Sequence, residues 1–447
     1  MPDVGPEPEA TPPRLERVIG TGALAATAVN CIVGSGIFGL PGLAAAMLGP
    51  AAILAYAVCA VLIGLIGLCF AECGSRVHDA GGLYAYATAA FGPIVGGIAG
   101  TLMWAANSVA PSAAVAALLM DTIGTLQPAL ARGVPRIAAL VAIYTMLAAA
   151  IIRGTRSSAR VSSILAVLKI APLAFLVLAG VFAVQRSNLR WAGFPPALGI
   201  GQTAVLLFFA FMGVEGGLNT SGEVMNPTRT VPRAILLALS VVAALYIGLQ
   251  LVAQGVLGAT LAGDGAPLVA LAVVLFGTWG ARLLVLVTVL STAGYLFADL
   301  LSSPRIFHAM AERGQLPRRL SAVHPRLKTP ALAITVYVSM CAILASTGSF
   351  RQLAIASASG SAVVYLICCL GLLRLRSRRV SADSAPFTAP GGALVPLAAA
   401  AIIVWMLSTL SAPELAAAAA LVGVSGVGYA LHAVWPAISP GGLRSAP

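Results

Sequence analysis

The stretch GSGIFG, at residues 34–39, lies near the middle of the first long apolar segment of the chain, residues 20–48. An apolar segment of about 20 residues is long enough to cross a bilayer as a helix, so residues 20–48 predict a membrane span. The glycines at its centre predict that the helix is broken there. A break in lipid exposes backbone groups that hydrocarbon cannot satisfy, so such breaks occur where they line a wet cavity or meet a ligand.

A second apolar segment, residues 199–223, is interrupted by GVEGG at residues 213–217. The two interrupted segments are the first and the sixth of the predicted spans, so each begins a unit of five spans. Two inverted units with a discontinuous helix at corresponding positions are typical of secondary transporters. Close helix packing through small residues is the alternative explanation. It accounts less well for Glu215, which stands between glycines in mid-span.

Similar apolar segments recur along the sequence and predict an all-α integral membrane protein with about twelve transmembrane helices. The chain is 59% hydrophobic and 9% charged, and its mean hydropathy is +0.97. A soluble domain carries roughly 25% charged residues, so a soluble enzyme is not expected. The predicted spans are residues 20–48, 51–73, 92–120, 136–152, 161–184, 199–223, 233–258, 282–307, 330–346, 353–373, 393–411 and 415–435.

The basic residues predict the orientation in the cell membrane. With the N-terminus inside, 19 Lys and Arg fall on the cytoplasmic side, 6 fall outside, and Lys169 lies within a span. Cytoplasmic loops carry the excess of Lys and Arg, so both termini are expected in the cytoplasm. The net charge of +12 thus reflects topology, and we expect no nucleic-acid partner. The expected organisation is a disordered cytosolic tail at 1–18, a transport core at 19–373, a cytosolic loop at 374–390, two further helices at 391–435 and a cytosolic tail at 436–447.

The broken helices suggest a ligand. The free amides of a half-helix N-terminus carry partial positive charge and attract anions. The amides around Ser35–Ile37 would therefore take a carboxylate, and the carbonyls ending the first half of span six would take an ammonium. An α-amino acid presents both groups.

The sequence resembles the amino acid–polyamine–organocation (APC) superfamily in five stretches that extend over spans one to ten. The resemblance implies a five-plus-five inverted repeat, often called the leucine-transporter fold, with amino-acid or polyamine substrates and alternating access. The similar stretches are residues 34–38; Glu72 with residues 79–86; residues 213–215 with 223–229; residues 304–305 with 309–314; and residues 158–161 with Lys169.

Three charges fall inside predicted spans. Lys169 lies roughly 13 Å into span five, counted from Arg160, and the resemblance implies that it replaces the Na⁺ of sodium-coupled relatives. A structural Lys bonded to carbonyls or a carboxylate is the alternative. Glu215 would couple protonation to the cycle, because a buried carboxylate without a fixed partner takes up protons near neutral pH; a neutral acid bonded across helices is the alternative. Asp299 would pair with Lys169, favour a cationic substrate or face a water-filled vestibule.

The resemblance also implies roles for several uncharged residues. Asn107 matches an asparagine near the substrate, Phe209 matches a gate position, and Glu72 belongs to the expected cytoplasmic closure. We expect no metal or cofactor and, since the histidines lie near span ends without a catalytic motif, no enzyme. A polyamine or organic-cation exchanger and a non-transporting amino-acid sensor remain alternatives. The predicted substrate site comprises Gly34, Ser35, Gly36, Ile37, Asn107, Phe209, Phe211, Gly213, Glu215, Gly216 and Asp299, with Lys169 and Glu215 for coupling and Phe209 and Glu72 as gates.

Overall fold

A computed structural model describes residues 20–34, 36–77, 82–152, 159–214, 227–312, 318–323, 329–380, 386–423 and 426. These residues form helices joined by turns, and none of them lies in a strand. The predicted tails at 1–18 and 436–447 lie outside the described residues, as do Ser35, Glu215 and Gly216 of the predicted site.

The helices follow the predicted apolar segments closely. In chain order they are α1 Thr21–Ile32, α2 Gly36–Leu48, α3 Ala52–Arg76, α4 Leu83–Phe91, α5 Pro93–Trp104, α6 Ala110–Leu126, α7 Gly133–Ile152, α8 Ala159–Gly180, α9 Ala197–Phe211, α10 Pro227–Leu257, α11 Pro267–Glu312, α12 Ala331–Thr347, α13 Phe350–Ser377 and α14 Leu394–Ser408, followed by α15 Ala412–Gly423.

The first predicted span is two helices. Helix α1 ends at Ile32 and α2 begins at Gly36, so the interruption coincides with the glycines of the GSGIFG stretch. The sixth predicted span is also interrupted, because α9 ends at Phe211 and Met212 is extended, with φ −68° and ψ 161°.

Two helical segments lie where the sequence analysis placed connections. Helix α4 fills the predicted gap between spans two and three and is bounded by glycines of positive φ, Gly82 at 54° and Gly92 at 93°. Helix α11 begins at Pro267, well before the predicted start at residue 282, and turns at Gly277, where φ is 68°. Both additions are apolar and too short to cross a bilayer alone, which is why span length did not reveal them.

Six apolar segments are long enough to cross a membrane by length and composition: Gly36–Arg76, Pro93–Thr125, Gly133–Ile152, Arg229–Leu261, Pro267–Phe297 and Phe350–Ser377. Shorter apolar helices accompany them, among them α1, α9, α12 and α14. Large apolar side chains are exposed on the outer surface, such as Phe182 at 91% and Val134 at 78%. Lipid accommodates such side chains, so the fold is that of a multi-pass membrane protein.

The packing brings both interrupted segments together. Helix α10 packs against α1 and α3, α2 packs against α9, and α13 packs against α6. Small residues allow these close contacts. At Gly67 of α3, for example, an added Cβ would stand 2.7 Å from a methyl carbon of Ile235 on α10.

Candidate functional site

The two helix interruptions lie against each other. Gly213, just after α9, has φ +106°, and a Cβ there would stand 2.7 Å from the carbonyl oxygen of Cys31 in α1. Gly36 is the first residue of α2. A Cβ there would stand 3.2 Å from Ala210 and 3.2 Å from the ring of Phe209, both in α9. Glycine is therefore favoured at residue 213 by its positive φ and by lack of space. A side chain at residue 36 would require Phe209 or Ala210 to move by a few tenths of an ångström.

The hydroxyl of Tyr246 joins the two interruptions. It lies 3.3 Å from the carbonyl oxygen of Ile32, the last residue of α1, and 3.2 Å from that of Ala210 in the last turn of α9. Carbonyls in the last turn of a helix have no intrahelical donor, and the Tyr246 hydroxyl offers one to the carbonyl of Ala210. The carbonyl of Ile32 also accepts a bond of 2.7 Å from the N–H of Gly34, so there the hydroxyl is a second donor. Tyr246 is fully buried on α10. Sequence reasoning missed it, although a mid-span phenol requires a hydrogen-bond partner.

A cavity of about 80 Å³ opens beside these interruptions. Its walls come from α1 and α2, from the turn between α5 and α6, from α6 itself, from α9 with the residues that follow it, and from α11. The lining residues are Cys31, Ile32, Gly34, Gly36, Asn107, Pro111, Val115, Phe209, Ala210, Met212, Gly213 and Tyr295.

The structure brings part of the predicted substrate site together. Gly34, Gly36, Asn107, Phe209 and Gly213 all line the cavity. Their roles in binding stay predictions.

Two further predicted residues lie in the packing around the cavity. Ile37 is fully buried. Phe211 makes edge contacts with the rings of Tyr246, at 5.1 Å between centroids, and Tyr56, at 6.4 Å. Phe211 thus contacts the ring whose hydroxyl joins α1 and α9, instead of lining the cavity as the described residues define it.

Phe209 closes one wall of the cavity with a second ring. Its ring meets that of Phe350, the first residue of α13, edge-on at 5.9 Å between centroids. Gly39 of α2 makes room for this pair, because a Cβ at residue 39 would stand 3.1 Å from the Phe350 ring. The aromatic wall is therefore packed from α2, α9 and α13, and the gate role of Phe209 stays a prediction.

Lys169 reaches the first interrupted segment from α8. Its Nζ donates a hydrogen bond of 2.8 Å to the carbonyl oxygen of Asn30, in the last turn of α1. The C-terminal end of a helix carries partial negative charge, so an ammonium is stabilised there. This contact places the amine of Lys169 beside the interruption.

Asp299 lies in a group of hydroxyls. Its carboxylate accepts hydrogen bonds from Ser303 at 2.6 Å and from Tyr337 of α12 at 2.7 Å. Tyr295, one helical turn before Asp299, lines the cavity. Asp299 therefore stands behind the cavity wall, and its three predicted roles stay predictions.

Glu72 ties three parts of the chain together. Its buried carboxylate accepts hydrogen bonds from Arg76 at 2.8 Å and 2.9 Å, from Arg376 at 2.8 Å, and from the backbone N–H of Ala389 at 2.8 Å. The end of α3 is thereby bound to the end of α13 and to the residues before α14. A gating role for Glu72 stays a prediction; these contacts give it a structural one.

Known proteins resemble this chain over most of its length. A family model described as amino acid permease matches residues 19–436. A branched-chain amino acid permease of Bacillus subtilis is 28% identical over 401 residues, covering 86% of this chain and 85% of that protein. A methylthioribose transporter of Bacillus subtilis is 27% identical over 414 residues, covering 89% of each chain. An uncharacterized transporter of Mycobacterium tuberculosis is 31% identical over 436 residues, covering 96% of this chain and 94% of the relative.

Proposed function

We propose, from the premise that this chain belongs to the amino acid permease family, that it moves amino acids across the cytoplasmic membrane by alternating access without sodium. The observation that carries the proposal is the cavity that residues of both interrupted segments line. Relatives named for branched-chain amino acids and for methylthioribose support transport of a small polar metabolite, and the family supports an amino acid.

The chemistry of the cavity suits an α-amino acid. The amides at the start of α2, beginning at Gly36, lie on the positive end of a helix. The last carbonyls of α1 and α9 lie on the negative ends of two others. A zwitterion would place its carboxylate toward α2 and its ammonium toward α1 and α9. A polyamine would leave the α2 end without an anionic partner.

Lys169 supports sodium independence. A bound Na⁺ would offer one positive charge to backbone carbonyls beside the interruption. The ammonium of Lys169 supplies that charge at the carbonyl of Asn30 as part of the protein. The cycle would therefore proceed by proton coupling or exchange, and Glu215, which lies outside the described residues, would carry the proton.

We also propose twelve crossings in a five-plus-five inverted repeat. The first unit would comprise α1 with α2, then α3, α5 with α6, α7 and α8. The second would comprise α9 with the residues after it, then α10, α11, α12 and α13, while α14 and α15 would follow as the last two crossings. The interrupted segments then begin the two units and would tilt together to open each side in turn.

A competition panel in proteoliposomes tests the substrate class. Purified protein is reconstituted, and uptake of labelled L-leucine, L-serine and putrescine is measured against each of the twenty L-amino acids, agmatine and spermidine. Competition by α-amino acids alone supports the proposal. Uptake of amines without a carboxylate would replace it by an organic-cation exchanger, and binding without any uptake would replace it by a sensor.

A further inference from the structure

The wall of the cavity that carries Asn107 is an irregular turn. Helix α5 ends at Trp104, and residues Ala105–Val109 form one turn of π-helix before α6 begins. The N–H of Ala110 accordingly bonds to the carbonyl of Ala105, five residues back. Such turns widen a helix locally and are frequent at functional sites.

Pro111 leaves one carbonyl of this turn without a donor from its own helix. In the five-residue register, the carbonyl of Ala106 would accept a hydrogen bond from the N–H of residue 111. Proline has no N–H, and the N–H of Ala110 is already bonded to Ala105. A buried carbonyl without a partner costs about 1–3 kcal/mol, so the turn requires an outside donor.

Helix α13 supplies that donor. The hydroxyl of Ser357 donates to the carbonyl of Ala106 at 2.7 Å, and Ser357 is fully buried. Gly360 allows the approach, because a Cβ there would stand 2.7 Å from the Cβ of Ala106. One turn after Ser357, the buried hydroxyl of Ser361 donates to the side-chain oxygen of Asn107.

We propose that Ser357 and Ser361 are positioning residues, which hold the π-turn and fix the side chain of Asn107 in the cavity wall, and thereby set the affinity for substrate. The proposal rests on the proposed function, since it assumes that substrate occupies this cavity. Ser357 determines where the backbone of the turn lies, and Ser361 determines which rotamer of Asn107 is populated. Neither serine lines the cavity as the described residues define it, so their effect passes through Asn107.

Ser359 provides the matched control. It lies on the same helix, is equally buried, and donates to the carbonyl of Ala356 within its own helix at 3.2 Å. Replacing it by alanine removes the same hydroxyl without touching the π-turn.

The test is saturation uptake, in proteoliposomes, of the L-amino acid that competes best in the panel. Ser361→Ala is expected to raise KM roughly fivefold, the value of one net hydrogen bond, with little change in maximal rate, while Ser359→Ala leaves both unchanged. In an Asn107→Ala background, Ser361→Ala should change KM no further, because its partner is gone. Equal KM values for Ser361→Ala and Ser359→Ala, or effects of Ser361→Ala and Asn107→Ala that multiply, would overturn the proposal.

Thermal melting in detergent tests the contact between Ser361 and Asn107 independently of the proposed transport function. Melting of wild type, Ser361→Ala, Asn107→Ala and the double variant requires no substrate. If the two side chains act through one hydrogen bond, the melting temperature of the double variant should be close to that of the less stable single variant. Melting-temperature shifts that simply add would contradict this coupling. Absence of uptake by the wild-type protein, by contrast, would remove the proposed function.

Discussion

The ammonium of Lys169 lies 2.8 Å from the backbone carbonyl oxygen of Asn30. The contact links α8 to the last turn of α1, immediately before the first helix interruption. It therefore joins the side chain of Lys169 to the half-helix that would tilt in the proposed transport cycle.

Lys169→Met should lower sodium-free uptake at least tenfold, because the carbonyl of Asn30 loses a charged hydrogen bond that contributes about 1.5–3 kcal/mol. The measurement is initial uptake in proteoliposomes with choline as the only external cation besides the buffer. Arg132→Met, which removes an exposed cation, is the control. Unchanged uptake by Lys169→Met would show that the cation has no part in transport.

Tyr246→Phe should reduce uptake roughly fivefold, since it removes the hydroxyl that the carbonyls of Ile32 and Ala210 share, at a cost of about 1 kcal/mol. The ring and its contact with Phe211 remain, so melting should fall only slightly. Tyr86→Phe, another buried tyrosine, is the control. Equal uptake by the two variants would mean that the link between the interruptions is dispensable.

Glu72→Ala should destabilise the protein strongly. It leaves Arg76 and Arg376 without their carboxylate and the N–H of Ala389 without its acceptor, and loss of one partner of a buried ion pair costs about 3–5 kcal/mol. Thermal melting in detergent measures the loss of stability. The control is Arg378→Ala, which replaces an exposed arginine directly after the end of α13. A melting temperature within the range of that control would contradict the structural role.

Cys31 should report on occupancy of the cavity. It lines the cavity and is exposed, whereas the other six cysteines are buried. A charged methanethiosulfonate reagent should label the purified protein at this position, Cys31→Ser should abolish labelling, and substrate should slow it. Labelling at a rate that saturating substrate does not change would place the substrate elsewhere.

The sequence was sufficient for the broad architecture. Lipid imposes long apolar segments on the chain, so the spans were visible as hydropathy. Glycines at 34 and 36 predicted the interruption because glycine in the middle of a span favours a break in the helix. In the structure Gly36 lies close to Phe209 and Ala210. The same reasoning did not reveal α4 or the beginning of α11, because short apolar helices lack a length that distinguishes them from loops.

Only part of the candidate site could be predicted from the sequence. Glycines, charges and aromatic residues near the interruptions were visible as candidates, but their hydrogen-bond partners depend on helix packing. Tyr246 and Ser357 are separated in sequence from the groups they contact by 36 or more residues, so their sequence context does not identify those partners. Pro111 was the available signal for the π-turn, since a proline inside a span removes a hydrogen bond that another helix must replace.

Counterflow by the wild-type protein tests sodium-independent transport of amino acids. Proteoliposomes are loaded with the best-competing L-amino acid in unlabelled form, and entry of trace labelled amino acid is followed in choline buffer and in sodium buffer. Entry of the labelled amino acid is expected to be saturable, to be stimulated by internal amino acid and to be equal in the two buffers. Entry that requires sodium, or entry no faster than in protein-free liposomes, would contradict it.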